Sequence, residues 1–182
     1  DPAFSKKLAS YADVYVNDAF GTSHRAHSST AGVAAYLPAV CGFLIEKEIS
    51  VMGKALTNPA RPFVAITGGA KVSDKIGVIN ALIKQCDTVI IGGAMSYTFL
   101  RALSGHVGTS PCELDKLDVA ADILVNALES NVRLVLPEDV VVTEEFSADA
   151  KPPVCEARQM PDNMGGMAMG PRTIVTVKSL CK

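Results

Sequence analysis

A long amphipathic pattern marks the first third of the chain. Apolar side chains recur at helical spacing at four positions, Ile45, Ile49, Met52 and Leu56. This spacing predicts a helix over 43–57. The prolines of 58–62 end it, because the residue before a proline is disfavoured in helical conformation. Such a helix either connects two domains or belongs to one, and the pattern supports both readings equally.

Beyond Pro62 the pattern alternates between short apolar runs and helical repeats. Strands are predicted at 63–67, 88–91 and 132–136. Helices are predicted at 73–84, after Ser96 and at 115–130, with the apolar faces Val72, Ile76, Ile79, Ile83 in the first and Leu117, Ala121, Leu124, Leu128 in the last. The strands are continuously apolar, which is typical of a parallel sheet covered by helices on both faces.

The remaining segments carry weaker signals. Asp1-Pro2 is typical of a helix start, and a strand is predicted at 13–19. The β-branched run 139–143 predicts either a short extension of the preceding strand or a separate one. The segment 147–170 has several prolines and glycines and little regular pattern, which predicts a long excursion or lid.

Composition places the chain among globular proteins without nucleic-acid or membrane contacts. The 182 residues are 48% hydrophobic and 20% charged, with a formal net charge of -2. There is no basic run, no Trp, no secretory leader pattern and no apolar stretch near the roughly 18 residues needed to span a bilayer. The five cysteines are scattered without a C-x-x-C pair, which indicates reduced thiols and a cytoplasmic protein.

Two glycine turns follow two of the predicted strands. The first is Gly68-Gly69-Ala70-Lys71 and the second is Gly92-Gly93-Ala94. Glycines at the carboxyl ends of parallel strands let backbone N–H groups approach phosphate or a flat base. Lys71 and Lys75, spaced i and i+4 at the predicted helix start, would then favour an anion. The common nucleotide fingerprints are absent, so phosphate binding and simple turn closure with solvated lysines stay about equally supported.

A second polar cluster follows the strand predicted at 13–19. His24, Arg25 and His27 lie close together in a segment rich in Ser and Thr. An arginine fork with two imidazoles suits a carboxylate or phosphate. A solvated loop is nearly as well supported, and a metal site is the weakest of the three readings because no Cys, Asp or Glu follows at ligand spacing.

Several ordered stretches together resemble the phosphoglycerate kinase family. They are Asn17-Asp18-Ala19-Phe20-Gly21-Thr22-Ser23-His24-Arg25-Ala26-His27, Gly68-Gly69-Ala70-Lys71-Val72-Ser73-Asp74-Lys75, Leu136-Pro137-Glu138-Asp139-Val140 and Phe146-Ser147-Ala148-Asp149-Ala150. The resemblance implies an α/β protein with a parallel-sheet, Rossmann-like nucleotide domain, incomplete here and preceded by a remnant of a second α/β domain. The implied division is 1–41, an interdomain helix at 42–60, and a partial nucleotide domain at 61–182.

The same resemblance implies a glycolytic activity and its site. The reaction is phosphoryl transfer between 1,3-bisphosphoglycerate and ADP, giving 3-phosphoglycerate and ATP with Mg²⁺. His24, Arg25 and His27 would bind the phosphoglycerate, with Lys75, Lys71 and Arg25 in the catalytic set. The nucleotide would be bound by Gly69, Ala70, Lys71, Lys75, Gly92, Gly93, Gly166 and Met167. In this set Gly69, Ala70, Gly92 and Gly93 would form one wall around adenine, and Gly166 with Met167 would lie on its other side.

Departures from the family pattern qualify this expectation. Ala168 stands where the family usually has an aspartate, which leaves the capping of the following segment open, and Ala94 replaces a common third glycine. The family's tryptophan-containing and triple-glycine motifs and its magnesium-binding aspartate are not found in the sequence. We therefore expect an internal fragment, inactive by itself, of an enzyme that is monomeric and cytoplasmic when full length. A non-catalytic nucleotide-binding module and an inactive paralogue are the alternatives.

Overall fold

The chain divides into two compact units. The computed structural model describes residues 1–145, 147 and 152–182. The units comprise Asp1–Ala60 and Arg61–Lys182. The family-like stretch 146–150 lies outside the described residues apart from Ser147. The first unit ends where the connecting helix was predicted to end, and the role of that helix as a connector stays a prediction.

The first unit is a small parallel α/β arrangement. Its helices are α1 (Pro2–Ala9) and α2 (Phe43–Thr57), and its strands are β1 (Tyr15–Asn17) and β2 (Ala39–Cys41), which pair in parallel. Two 3₁₀ turns, Phe20–Thr22 and Gly32–Ala35, lie between the strands. The Asp1 side chain caps α1, accepting a hydrogen bond from the Ala3 N–H at 2.9 Å.

Helix α2 has the predicted bounds, but its apolar positions are unevenly buried. Ile45 is buried, whereas Ile49 is 62% exposed in the described chain. The N-cap residue of the helix is Gly42, which has no side chain to cap it. Asp18 caps it instead from the segment after β1, since one carboxylate oxygen accepts from the N–H groups of Leu44 at 2.8 Å and Ile45 at 3.1 Å.

The second unit contains the predicted parallel sheet, which is confirmed. Its strands are β3 (Val64–Gly68), β4 (Thr88–Gly92) and β5 (Arg133–Val135), in the spatial order β3-β4-β5. Its covering helices are α3 (Ile76–Ile83), α4 (Met95–Ala102) and α5 (Leu117–Glu129). Every residue of β4 is buried, as its apolar run predicts. The edge strand β3 differs, because Ile66 is 62% exposed among the described residues.

The predicted buried face of α5 is wrong by a fraction of a turn. Ala120, Ile123 and Ala127 form its buried face, while Leu128 is 80% exposed. Ala120 and Ala127 are buried in the core together with Ile123, and Leu124 of the predicted face packs against that core while only partly buried. Spacing alone does not distinguish a face of small residues from an adjacent face of large ones.

The predicted excursion or lid at 147–170 is also wrong for its described part. Strand β6 (Asp139–Thr143) is a separate strand at the centre of an antiparallel sheet, between β7 (Val154–Glu156) and β8 (Gly165–Met169). Gly and Ala are depleted in strands and make up three of the five residues of β8, so the strand carries no local signal. Its pairing with β6, with an irregularity at Val141 and Val142, supplies the structure.

The segment after Ala168, whose capping the sequence left open, forms helix α6 (Pro171–Leu180). The N-cap residue of the helix is Gly170, and the side chain of Asp139 in β6 caps the helix. The Asp139 carboxylate accepts from the N–H groups of Arg172 at 3.1 Å and Thr173 at 2.8 Å, and from the Thr173 hydroxyl at 2.7 Å. Burial opposes ionisation of Asp139, yet these hydrogen bonds and the Arg172 charge outweigh it and hold its pKa below the ordinary value.

Replacing Asp139 with alanine should lower the free energy of unfolding by about 1.5–3 kcal/mol, because a buried charged acceptor and a helix cap are both lost. The stabilisation should be complete above the ordinary pKa of 3.8 and lost as the pH falls through the lower folded value. Urea titrations of the chain and the variant between pH 7 and pH 3 measure both effects. Asp122→Ala, at an exposed position on α5, is the control. A difference between chain and variant that is constant across this pH range would contradict the prediction.

Candidate functional site

A pocket of about 260 Å³ lies in the second unit, where β4 and β5 end. It is lined by Gly93, Ala94, Ser96, Tyr97, Pro111, Pro137, Val140, Gly166, Met167, Ala168 and Met169. We call it the Gly93 pocket. Gly93 and Pro137 follow the carboxyl ends of the parallel strands, and β8 supplies another part of the lining. This is the edge of a parallel sheet at which ligands usually bind.

The two glycine turns contact each other at this pocket, which Gly93 and Ala94 of the second turn line. Gly68 and Gly92 are paired in register at the ends of β3 and β4, and the Gly69 carbonyl accepts from the Met95 N–H at 2.9 Å. Gly93 has a φ of 66°, and a Cβ there would lie 3.0 Å from both the nitrogen and the oxygen of Gly69. Glycine is therefore required at this position by conformation and by contact.

Three of the predicted wall residues line this single pocket: Gly93, Gly166 and Met167. Gly69, Ala70 and Gly92 do not appear in its described lining, although a Cβ at Gly92 would lie 2.7 Å from the Met169 methyl carbon. Gly69 and Gly92 thus lie against the lining residues Gly93 and Met169 without lining the pocket themselves. Binding of adenine by this set stays a prediction.

Tyr97 is a pocket residue that sequence reasoning did not single out. It lies on α4, is 5% exposed and lines the Gly93 pocket. A Cβ at Gly166 would collide with its hydroxyl and ring, so the glycine makes room for the tyrosine. Burial raises the pKa of the Tyr97 hydroxyl above its ordinary value. No local pattern in the sequence distinguishes Tyr97 from its neighbours in the helix predicted after Ser96.

The predicted arrangement of Lys71 and Lys75 on the first turn of a helix is wrong. Helix α3 begins at Ile76, so Lys75 is its N-cap and Lys71 lies in the turn before it. The Lys75 N–H donates to the Val72 carbonyl at 2.8 Å, which makes a tight turn in place of the first helical turn. The Lys75 side chain runs beside the first glycine turn, because a Cβ at Gly69 would lie 3.6 Å from Lys75 Cε.

His24, Arg25 and His27 occupy one exposed loop of the first unit. Thr30 shapes this loop, since its hydroxyl donates to the Arg25 carbonyl at 2.6 Å and accepts from the His27 N–H at 3.1 Å. Both contacts use backbone groups, so they leave the side chains of His24, Arg25 and His27 in solvent. Anion binding by these side chains stays a prediction.

Two further findings concern the described residues as a set. Within 1–145, 147 and 152–182, no three His, Cys, Asp or Glu side chains are placed to hold a metal ion together. No helix of the same ranges combines the length and the apolar character needed to cross a bilayer.

Comparison with known proteins gives a consistent result. A family model described as phosphoglycerate kinase matches residues 1–182. The solved phosphoglycerate kinase from Coxiella burnetii is 41% identical, with a TM-score of 0.85, and the match covers 99% of this chain and 46% of that one. The enzyme from Pyrococcus horikoshii OT3 is 27% identical, with a TM-score of 0.81, covering 96% of this chain and 45% of that one. The chain thus spans slightly less than half the length of both solved structures.

Proposed function

Because the chain belongs to the phosphoglycerate kinase family, we propose that it takes part in phosphoryl transfer between 1,3-bisphosphoglycerate and ADP, giving 3-phosphoglycerate and ATP. The observation that carries this proposal is the Gly93 pocket. It lies at the carboxyl ends of parallel strands and is lined by the bare backbone of Gly93 and Gly166 and by apolar side chains. Such a lining suits a flat base.

We assign the nucleotide to the second unit. Adenine would lie against Gly93, Gly166 and Met167, with Gly69, Ala70 and Gly92 forming the supporting turns. Lys71 would contact the nucleotide phosphates, and Lys75 would face the phosphoryl group during transfer. This reaction depends mainly on positioning and charge stabilisation, which two ammonium groups beside a glycine turn can supply.

We assign the phosphoglycerate to the exposed loop of the first unit. Arg25 offers a planar fork of donors that matches a phosphate or carboxylate, and His24 and His27 add further donors. Two observations support this assignment. All three side chains are exposed, and the Thr30 hydroxyl holds the backbone of the loop at Arg25 and His27.

The family also implies Mg²⁺ bound together with ADP or ATP. The described residues do not fit a protein-held metal site, since no three suitable side chains lie together there. We therefore derive no step through the metal from this chain. A cytoplasmic location and a monomeric state of the full-length protein are further proposals, and they rest on the family resemblance.

Nucleotide binding without transfer is a second candidate. The fraction of the solved relatives that the chain spans favours it, because 46% of the Coxiella burnetii chain is matched while the Gly93 pocket lies within a single unit. The two candidates differ in one measurable respect. Only the phosphoryl-transfer proposal requires that the Arg25 loop bind phosphoglycerate and that the polypeptide catalyse the reaction.

Replacing Arg25 with alanine in the full-length polypeptide that carries this sequence should weaken 3-phosphoglycerate binding by about 10- to 100-fold, because a charge-assisted contact is worth about 1.5–3 kcal/mol. ADP binding should change less than twofold. Calorimetric titration with each ligand, beside a coupled assay with 3-phosphoglycerate and Mg-ATP, measures these effects. Lys6→Ala, at an exposed position of the same unit, is the control. Absence of turnover in the unsubstituted polypeptide would contradict the kinase proposal, and equal losses for both ligands would contradict the assignment of Arg25.

A further inference from the structure

The segment Ser110–Glu113, between α4 and α5, contacts both sides of the nucleotide site. We propose that it aligns the turn bearing Lys71 and Lys75 with the wall formed by Gly166 and Met167, and that Glu113 is the positioning residue for Lys75. The inference rests on the proposed function and extends it, because it assigns a role to residues that neither the glycine turns nor the family-like stretches include.

Glu113 holds the phosphate-side turn. One carboxylate oxygen accepts from the Ser73 hydroxyl at 2.6 Å, and the other accepts from the Ser73 N–H at 3.1 Å. Ser73 lies midway between Lys71 and Lys75 in sequence. The hydroxyl contact lowers the pKa of Glu113 more than burial raises it, so the carboxylate is charged at neutral pH.

Both ends of this contact are anchored to other elements. The Glu113 N–H donates to the Thr98 hydroxyl of α4 at 3.1 Å. On the other side, Val72 is fully buried and its carbonyl accepts from the Lys75 N–H at 2.8 Å. The turn is therefore held by the core through Val72 and by α4 through Glu113. Removal of the carboxylate releases the second of these supports.

Ser110 holds the base side of the site. Its hydroxyl accepts from the Gly166 N–H at 2.9 Å and donates to the Met160 sulfur at 3.3 Å, and the residue is only 7% exposed. Pro111, the next residue, lines the Gly93 pocket itself. Four consecutive residues thus bind the backbone of β8 at one end and the lysine turn at the other.

The contribution of Lys75 to the rate depends on the distance between its ammonium group and the phosphoryl group. A charge that stabilises a transferring phosphoryl group must lie within hydrogen-bond reach of it, and a displacement of about 1 Å can cost up to 10²-fold in rate. Glu113 touches neither phosphate nor base and acts through the turn. Its effect on rate must then depend on the presence of the Lys75 ammonium group.

A double-mutant cycle in the full-length polypeptide tests this dependence. Glu113→Ala should lower kcat about tenfold when Lys75 is present and less than twofold in the Lys75→Ala background, because coupled residues are not additive. Glu113→Gln, which keeps one oxygen acceptor for Ser73, should recover part of the loss. Glu129→Ala, at an exposed carboxylate on α5, should leave kcat unchanged. An equal loss of kcat in both backgrounds would show a general structural effect and overturn the proposal.

Amide hydrogen exchange provides a readout that does not depend on catalysis. Glu113→Ala should speed exchange at the Ser73 amide at least tenfold and leave the Val89 amide of β4 unchanged. Unchanged exchange at the Ser73 amide in the Glu113→Ala variant would overturn the proposal, whatever the kcat of that variant. If the unsubstituted polypeptide has no turnover, the proposed function fails, and exchange at Ser73 still decides whether Glu113 holds the turn.

Discussion

Residues 1–182 expressed alone should bind ADP and yet show kinase turnover at least about 10⁴-fold below that of the full-length polypeptide, because much of the rate of a two-substrate transfer comes from alignment of the reactants. The Gly93 pocket lies within one compact unit, which supports nucleotide binding by the chain itself. The chain matches 46% of the Coxiella burnetii enzyme. Calorimetry with ADP and a coupled assay with 3-phosphoglycerate and Mg-ATP measure the two properties.

Comparison of the two rates requires that both residues 1–182 and the full-length polypeptide be folded. Circular dichroism and thermal unfolding of residues 1–182 provide that control, and the full-length polypeptide assayed in the same buffer provides the reference rate. Turnover by the 182 residues within about a hundredfold of the reference would contradict the prediction, since alignment would then not need the remaining sequence.

Replacing Lys75 with alanine in the full-length polypeptide should lower kcat by about 10²- to 10³-fold and change KM for either substrate far less. Lys75 is the N-cap of α3, and its side chain runs beside Gly69. A charge that acts chiefly in the transition state affects kcat more than binding. Steady-state kinetics in both substrates measure the two parameters.

Lys84 offers a matched control because it is exposed and caps the other end of the same helix. With a rise of about 1.5 Å per residue, the two lysines lie about 13 Å apart along α3. Lys84→Ala should leave kcat within twofold, with at most about 1 kcal/mol of stability lost from the helix dipole. A Lys75→Ala enzyme with kcat within about threefold of the parent would mean that Lys75 is a solvated lysine and not a catalytic one.

The sequence predicts the elements whose signals are local. Helix α2 has the expected bounds of 43–57, and the strands β3, β4 and β5 follow their apolar runs. Helical spacing, proline stops and continuous apolar runs each depend on residues within one element. The position of the glycine turns at the strand ends follows from the same patterns.

The sequence fails where distant residues decide the structure. Strand β8 contains glycines and methionines and exists because β6 pairs with it. Helix α3 begins at Ile76, and the turn before it contains Ser73, whose N–H donates to the Glu113 carboxylate from forty positions away. The same limit hid Tyr97 and Pro111 from the candidate site, because nothing in their neighbourhood indicates that they line a pocket.

The two remote helix caps behave as paired sequence signals. Gly42 and Gly170 are each the N-cap residue of a helix. A Cβ at Gly42 would collide with the Asp18 carboxylate that caps α2, and one at Gly170 with the Asp139 carboxylate that caps α6. A larger residue at the glycine is therefore admitted only if the aspartate is shortened or moved. The helix start therefore depends on two residues that are far apart in the sequence, the glycine at the N-cap and the aspartate that caps it. A substitution at one member of either pair changes which residues are tolerated at the other.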